Sequence, residues 1–311
     1  MLQKLPGFLS RTGSRIRTDG LSGLSWAGVM LYDRLLLGSR FGDRFGPDVT
    51  PVFTADWDVL VLMDACRVDL LDEVRHDYDF LADFDTIYST NGTSKAWMET
   101  NFANQYRDEM AETAYVTGNP FSSECADETT FGHLDEVWRY AWDDELGTIP
   151  ARPITDRAIS TARELDPERM IVHYMQPHFP SVPVPDIGSA IDLDDVGGEW
   201  TDSIWHQLRA GSVSKSEVWQ AYKANLEYVL KDVELLLKNI SAETVMVSAD
   251  HGNAMGEYGF YGHGRYPLRC VREVPWCTTS ADDSGNYEPN TDFSSGDGDI
   301  IKRLQALGYR S

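Results

Sequence analysis

The run Trp57-Asp-Val-Leu-Val-Leu-Met63 is almost continuously apolar and is followed directly by Asp64. Three further short apolar runs occur downstream, at Thr113–Thr117, Met170–Tyr174 and Thr244–Ser248. Short runs without polar alternation are typical of strands that are buried on both faces of a parallel sheet. The chain is therefore expected to build its core around such a sheet.

Segments with helical spacing separate these runs, at residues 94–106, 154–165 and 215–240. Strands that alternate with helices are typical of layered α/β proteins. The sequence thus predicts an α/β fold, a three-layer α/β/α sandwich with a mostly parallel central sheet. A further strand is expected at residues 271–276.

The composition is strongly acidic. The chain has 311 residues, and 27 Lys and Arg against 50 Asp and Glu give a net charge of −23. Such a surface repels nucleic acid, so nucleic-acid binding is not expected. There are 32 Asp and only 7 Lys, a balance that keeps a protein hydrated in concentrated salt. We therefore expect a halophilic, cytoplasmic protein such as a haloarchaeon would make.

The chain divides by composition into three parts. Residues 1–50 are mildly basic and show apolar residues at helical spacing, which predicts an N-terminal helical extension. That helix either contacts the inner membrane surface peripherally or packs on the main domain. The main domain, 51–278, carries the candidate catalytic residues. Residues 279–311 are expected to form an acidic linker and a C-terminal helix that packs back on that domain.

Polar residues follow three of the predicted strands. Asp64 follows the first, Asp250-His251 follows the run that ends at Ser248, and His178 follows the run that ends at Tyr174. Ligands of open α/β sheets collect at the carboxyl ends of the strands. Carboxylates with an imidazole form a divalent-metal site. Each residue alone is also consistent with a helix cap, a turn or a structural histidine.

The segment Asn91-Gly-Thr-Ser-Lys95 places two hydroxyl groups before a predicted helix. The amino end of a helix binds phosphate and sulfate oxygens, and a metal-bound Thr93 hydroxyl there could attack an ester. The alternative is an ordinary helix N-cap.

The order of these motifs resembles the sulfatase-like branch of the alkaline phosphatase superfamily. The matching segments, in chain order, are Val59–Leu70, Gln176-Pro-His-Phe-Pro180, Val247–Gly264 and Ile301–Tyr309. The resemblance implies an alkaline-phosphatase-like fold and a metal-activated nucleophile that attacks phosphate or sulfate esters.

The resemblance also implies roles for individual residues. The metal ligands would be Asp64, Asp250, His251 and the nucleophile Thr93. His178 and His263 would bind the ester oxygens or protonate the leaving group. The substrate-binding residues would be Arg67, Ser94 and Lys95, although Arg67 could instead brace Asp64 or the wall of the site.

The sequence departs from the family in two respects. None of the four cysteines lies in the Cys-x-Pro-x-Arg motif from which formylglycine sulfatases make their nucleophile. Gln176 stands where two-metal relatives have an acidic residue, which favours one divalent ion: Mn, Zn, Mg or Ca. Asn253 also replaces an acidic residue of many relatives.

These features favour a metal-dependent hydrolase or transferase that acts on phosphate esters through Thr93. One alternative is a sulfatase-like enzyme that acts on sulfate esters of glycans or lipids. Another is an inactive relative that binds an anionic glycan or a partner. The expected substrate is a phosphorylated or sulfated small molecule, glycan or lipid head group. Residues 129–146 and 187–210 are expected to cap the site.

Overall fold

A computed structural model of the chain describes residues 49–193 and 203–292, together with Gly20 and Gly28. Short 3-10 turns connect several of its elements. The strands are β1 (Val59–Met63), β2 (Asp83–Tyr88), β3 (Thr113–Thr117), β4 (His133–Glu136), β5 (Arg169–Tyr174), β6 (Ala242–Ser248), β7 (Ala254–Met255), β8 (Tyr261–Gly262) and β9 (Glu273–Ala281). The helices are α1 (Val68–Asp72), α2 (Ser94–Asn101), α3 (Arg107–Ala111), α4 (Ser122–Cys125), α5 (Trp138–Ala141), α6 (Ala151–Leu165), α7 (Ile204–Ala210), α8 (Lys215–Leu237) and α9 (Arg269–Arg272).

Seven strands form one sheet in the order β2-β9-β6-β1-β5-β3-β4, while β7 and β8 pair as a separate ribbon. β1 lies at the centre and is parallel to β5 and β6. β3 is parallel to β5 and β4, whereas β9 is antiparallel to both β6 and β2. Six strands of this sheet therefore run in one direction and only β9 is reversed, which confirms the predicted mostly parallel sheet.

Helices cover both faces of the sheet. Val61 of β1 packs in one apolar cluster with residues of α6 and α8. Leu60 and Leu62 point to the opposite face and pack with Trp97 of α2 and Met110 of α3. Because β1 is buried on both faces, every position of its apolar run lies in the core, and the predicted three-layer sandwich is confirmed.

The predicted strand at residues 271–276 is wrong in its bounds. Residues 269–272 form α9, and β9 follows as a longer strand over 273–281. β9 crosses the predicted domain boundary at residue 278. The chain beyond it continues along α6, where Arg163 pairs with Asp283 at 2.8 Å.

The helical extension predicted for residues 1–50 lies almost wholly outside the described residues, as does most of the segment 279–311 for which a C-terminal helix was predicted. Among the residues that the structure describes, no helix combines the length and the apolar character that crossing a bilayer requires.

Candidate metal centre and active site

Polar side chains lie at the carboxyl ends of three strands, on one face of the sheet. Side chains alternate between faces along a strand, so Asp64 continues the face of Leu62 beyond β1. By the same alternation, His173 lies on the face of Ile171 in β5, and Asp250 continues the face of β6 that carries Met246. Leu62, Ile171 and Met246 belong to the same apolar cluster. The polar groups therefore meet at the end of that cluster.

Three atoms in this group have no hydrogen-bond partner among the described residues: Asp64 Oδ1, Asp250 Oδ2 and His173 Nε2. The three residues, called here the Asp–His–Asp cluster, each offer a ligand atom within 4.8 Å of the others. Unpaired buried polar groups are costly, and carboxylates with an imidazole are donors for a divalent cation. The cluster therefore fits the predicted metal ion, with His173 as a ligand candidate that the sequence analysis did not name.

The charges of the cluster also favour a cation. Burial and the neighbouring Asp250 carboxylate raise the pKa of Asp64 well above its ordinary value. Burial by itself would raise the pKa of Asp250, but the His251 and His173 imidazoles lower it overall. Burial lowers the pKa of His173 to about 4, so its ring is neutral at pH 7 and can offer a lone pair.

His251 lies beside the cluster, as the motif predicts. Its Nε2 is 3.5 Å from Asp250 Oδ2 and 3.7 Å from Asp64 Oδ1. Its Nδ1 lies 3.0 Å from the carbonyl oxygen of Gly252. Because a carbonyl oxygen only accepts, Nδ1 carries a proton, and in the neutral ring the lone pair of Nε2 then faces the carboxylates. His251 is thus placed as a fourth ligand candidate.

The two hydroxyl groups at the start of α2 lie in different surroundings. Thr93 is the N-cap of the helix, and its Oγ1 accepts a hydrogen bond from the Ala96 N–H at 3.3 Å. Ser94 Oγ lies 3.2 Å from Asp64 Oδ2 and 3.3 Å from His251 Nε2. The hydroxyl in contact with the candidate ligands is therefore that of Ser94, which the sequence analysis assigned to substrate binding.

Asn119 is a further polar residue of the site. It follows β3, and its Nδ2 donates to Asp64 Oδ2 at 2.7 Å. Its Oδ1 accepts from the Phe121 N–H at 3.0 Å. The amide thus fixes one oxygen of Asp64 and leaves the other for a metal ion.

A cavity of about 790 Å³ opens beside the cluster. His178 and His263 line it, with their ring centroids 5.2 Å apart. Burial lowers the pKa of both imidazoles, that of His178 to about 4. The predicted cap at 187–210 contributes lining residues that include Trp205. The other predicted cap, 129–146, contains β4 and α5 and does not line the cavity.

Arg67 and Lys95, both predicted to bind substrate, occupy different positions. Arg67 does not line the cavity; its guanidinium donates to both oxygens of Asp69, at 2.8 and 2.6 Å, and to Glu257 at 3.0 Å. It therefore braces the loop after β7. Lys95 lines the cavity and pairs with Glu124.

Two residues of the site were missed in the sequence. His173 was counted only as part of an apolar strand, although an isolated histidine near the carboxyl end of a buried strand is a signal. Asn119 lies in Gly118-Asn-Pro120, which reads as an ordinary turn. The alternation of faces along adjacent strands would have drawn attention to both.

Comparison with known proteins establishes the fold. No protein-family model and no curated protein sequence matches the chain. The structure resembles the soluble domain of lipooligosaccharide phosphoethanolamine transferase A from Neisseria meningitidis, with a TM-score of 0.51, 11% identity, and coverage of 76% of this chain and 79% of that domain. Against the integral membrane form of that transferase the TM-score is 0.50 and the identity 12%, with 94% of this chain and 62% of the transferase covered.

This chain therefore spans less than two thirds of the length of the integral membrane transferase. At such low identity the likeness concerns the fold. It shows that the α/β fold of this chain is shared with the soluble domain of that transferase.

Proposed function

We propose that the chain is a metal-dependent hydrolase or transferase that acts on phosphate esters, with a hydroxyl group at the start of α2 as the nucleophile. The observation that carries the proposal is the Asp–His–Asp cluster with its three unpaired donor atoms. The Ser94 hydroxyl donates to the other oxygen of Asp64, Oδ2, at 3.2 Å. The amino end of α2, with its partial positive charge, complements the charge of a phosphoryl group.

Different residues of the chain have different roles in the proposed reaction. A divalent cation held by the cluster, with His251 beside it, would polarise a phosphoryl oxygen and lower the pKa of the adjacent hydroxyl. Asn119 orients Asp64, and the start of α2 positions Ser94. Phosphoryl transfer depends mainly on positioning and electrostatic stabilisation, and these groups are of the types that can supply both.

In the proposed reaction Ser94 Oγ forms a bond to phosphorus while the bond between phosphorus and the ester oxygen breaks. The Ser94 proton passes to Asp64 Oδ2, to which the hydroxyl already donates. The departing alkoxide takes a proton from water, and the resulting hydroxide attacks the phosphoserine. Asp64 then returns its proton to Ser94. In a transferase, an acceptor alcohol replaces water in the second attack and loses its proton to the departing alkoxide.

The experiment compares aryl phosphate turnover by wild type, Ser94→Ala and Thr93→Asn, each before and after chelation. Thr93→Asn removes the predicted threonine nucleophile but keeps an N-cap acceptor. Ser94→Ala should lower kcat by at least about a thousand-fold, as expected when a nucleophile is removed. Thr93→Asn should remain near wild type. Thr100→Ala is the matched control, since it removes an exposed hydroxyl at the far end of α2.

If Ser94→Ala is fully active and Thr93→Asn is inactive, the nucleophile is Thr93. Turnover that survives chelation and both substitutions would refute the proposed class. Aryl sulfate is measured in parallel, and the absence of a Cys-x-Pro-x-Arg motif leads us to expect phosphate as the preferred ester. Sulfate turnover alone would favour the sulfatase-like alternative.

A further inference from the structure

A chain of polar groups leads from the cavity into the core behind it. His263 Nδ1 lies 3.0 Å from Asn253 Oδ1, and Asn253 Nδ2 donates to the Tyr222 hydroxyl at 3.0 Å. The Tyr222 hydroxyl donates to the carbonyl oxygen of Ala65. The Ala65 N–H in turn donates to Asp250 Oδ1 at 3.0 Å. His263 is thereby connected to a carboxylate of the Asp–His–Asp cluster.

The Ala65 carbonyl oxygen determines the direction of each hydrogen bond between Ala65 and His263. A carbonyl oxygen only accepts, so the hydrogen between Tyr222 and Ala65 belongs to Tyr222. The Tyr222 oxygen is then the acceptor toward Asn253, whose amide must present Nδ2 to it and Oδ1 to His263. An amide oxygen also only accepts, so Nδ1 of neutral His263 carries the proton and Nε2 holds a lone pair.

The surroundings leave these groups little freedom. Asn253 and Tyr222 are fully buried, and the Tyr222 ring packs against Phe179 with 5.6 Å between centroids. The backbone oxygen of Asn253 accepts from the Arg67 guanidinium. Ala65 has a φ of 62°, a left-handed conformation that is strained for a residue with a Cβ. Its carbonyl and N–H both have partners within the chain of groups, which is consistent with a strained residue held by its neighbours.

We propose that Asn253 and Tyr222 are positioning residues that hold His263 in the Nδ1–H tautomer, leaving Nε2 as a hydrogen-bond acceptor for the cavity. The consequence for turnover rests on the proposed function. In this tautomer Nε2 accepts a hydrogen bond from a hydroxyl of the substrate or from water. It does not donate one to a phosphoryl oxygen, which distinguishes this role from the ester-oxygen contact that the family resemblance implies.

The tautomer can be read directly by long-range ¹H–¹⁵N correlation NMR on the full chain labelled with ¹⁵N-histidine. The His263 signals are assigned by their loss in His263→Gln. We expect the Nδ1–H form in wild type. Tyr222→Phe removes the hydroxyl that orients the amide, so Asn253 can turn its Nδ2 toward His263, and the Nε2–H form should become populated.

Tyr228→Phe is the matched control, because Tyr228 lies on the same helix and its hydroxyl accepts from the Ala151 N–H at 3.3 Å, outside this chain of groups. It should leave the His263 tautomer unchanged. Asn253→Asp provides a second variant. A carboxylate can only accept from Nδ1–H, so this variant should keep the wild-type tautomer.

An Nε2–H form in wild type would overturn the proposal whether or not any variant folds. A folded Tyr222→Phe protein with the wild-type tautomer would overturn the role of Tyr222. Both measurements are made without turnover, so failure of the proposed phosphoester activity would leave the tautomer result standing.

Discussion

The free oxygen of Asp64 depends on a neighbouring amide. Asn119 donates to Asp64 Oδ2 at 2.7 Å and is itself oriented by the Phe121 N–H. Ser94 adds a second donor to the same oxygen at 3.2 Å. With Oδ2 occupied twice, Oδ1 is the oxygen that is free for a metal ion. Hydrogen bonds behind a ligand in this way orient it and tune its affinity for the metal.

Asn119→Leu should therefore weaken divalent-metal binding, by roughly 10–100-fold as for other residues that orient ligands. The leucine cannot donate, so Asp64 loses its strongest orienting contact while the cluster keeps all its donor atoms. Isothermal titration with Mn²⁺ or Zn²⁺ measures the change. Asn91→Leu is the control, because Asn91 donates to Ala96 and Thr100 and does not contact Asp64. Equal metal affinities of Asn119→Leu and Asn91→Leu would contradict the orienting role of Asn119.

The sequence predicted Asp64, Asp250 and His251 because each follows an apolar run whose carboxyl end lies at one edge of the sheet. It named Thr93 as the nucleophile on the family resemblance, whereas the two residues themselves do not separate Thr93 from Ser94. Adjacent hydroxyl residues at a helix start differ only in which side of the first turn they face. That choice depends on the rotation of α2 about its axis, which tertiary packing determines.

At the scale of elements, two loops of the site are joined through their backbones. The Gly264 N–H donates to the Gly92 carbonyl oxygen at 3.0 Å. A Cβ added at Gly92 would lie 2.2 Å from the Gly264 oxygen. This approach places the loop that leads into Ser94 against the loop that carries His263, so glycine is required at Gly92 for space.

Gly92→Ala should lower the free energy of unfolding by about 1–3 kcal/mol, the usual cost of overpacking a well-packed position. The backbone oxygen that opposes the new methyl group cannot move without separating the two loops. Urea unfolding followed by circular dichroism gives the value. Gly118→Ala is the comparison, because its nearest contact would be the flexible end of Ile154, Cδ1 at 2.5 Å. A larger loss at Gly118 than at Gly92 would refute the backbone argument.

The burial of the individual strands explains why some of them were predictable from the sequence. β1, β3, β5 and β6 were found because they are buried on both faces and read as apolar runs. β2 and β4 lie at the two edges of the sheet, and their sequences, DFDTIY and HLDE, carry charged or half-exposed positions. Edge strands are recognised by pairing rather than by composition, and pairing is not visible in one sequence.

At the scale of the whole molecule, the cluster connects the central strands. Asp64 follows β1, His173 lies on β5 and Asp250 follows β6, so a bound cation would cross-link the middle of the sheet. Divalent metal at about a hundred times its Kd should then stabilise the fold by about 2.7 kcal/mol. Thermal unfolding with and without chelator measures the shift. Asp250→Asn should abolish the stabilisation by metal. Asp283→Asn should preserve it, because Asp283 pairs with Arg163 and is not part of the Asp–His–Asp cluster.

The net charge of −23 sets a second property of the whole molecule. Like charges repel one another in the compact state, and the acidic surface also repels a phosphorylated substrate. Both effects weaken as salt shortens the Debye length from about 10 Å at 0.1 M to about 3 Å at 1 M. The cavity has basic groups in its lining, including Arg209 and Lys95, so the repulsion arises mainly from the surface around it.

Raising KCl from about 0.1 M to about 1 M should therefore increase Tm and lower KM for aryl phosphate together, because one screening effect causes both. Sucrose is the control: exclusion of a neutral solute from the protein surface also raises Tm but screens no charge, so KM should not fall with it. A neutral aryl ester as substrate provides the matching kinetic control, since its KM should respond little to salt. A Tm that falls steadily with KCl would contradict the predicted adaptation to high salt, and a KM that rises would show that the basic lining, rather than the acidic surface, dominates substrate approach.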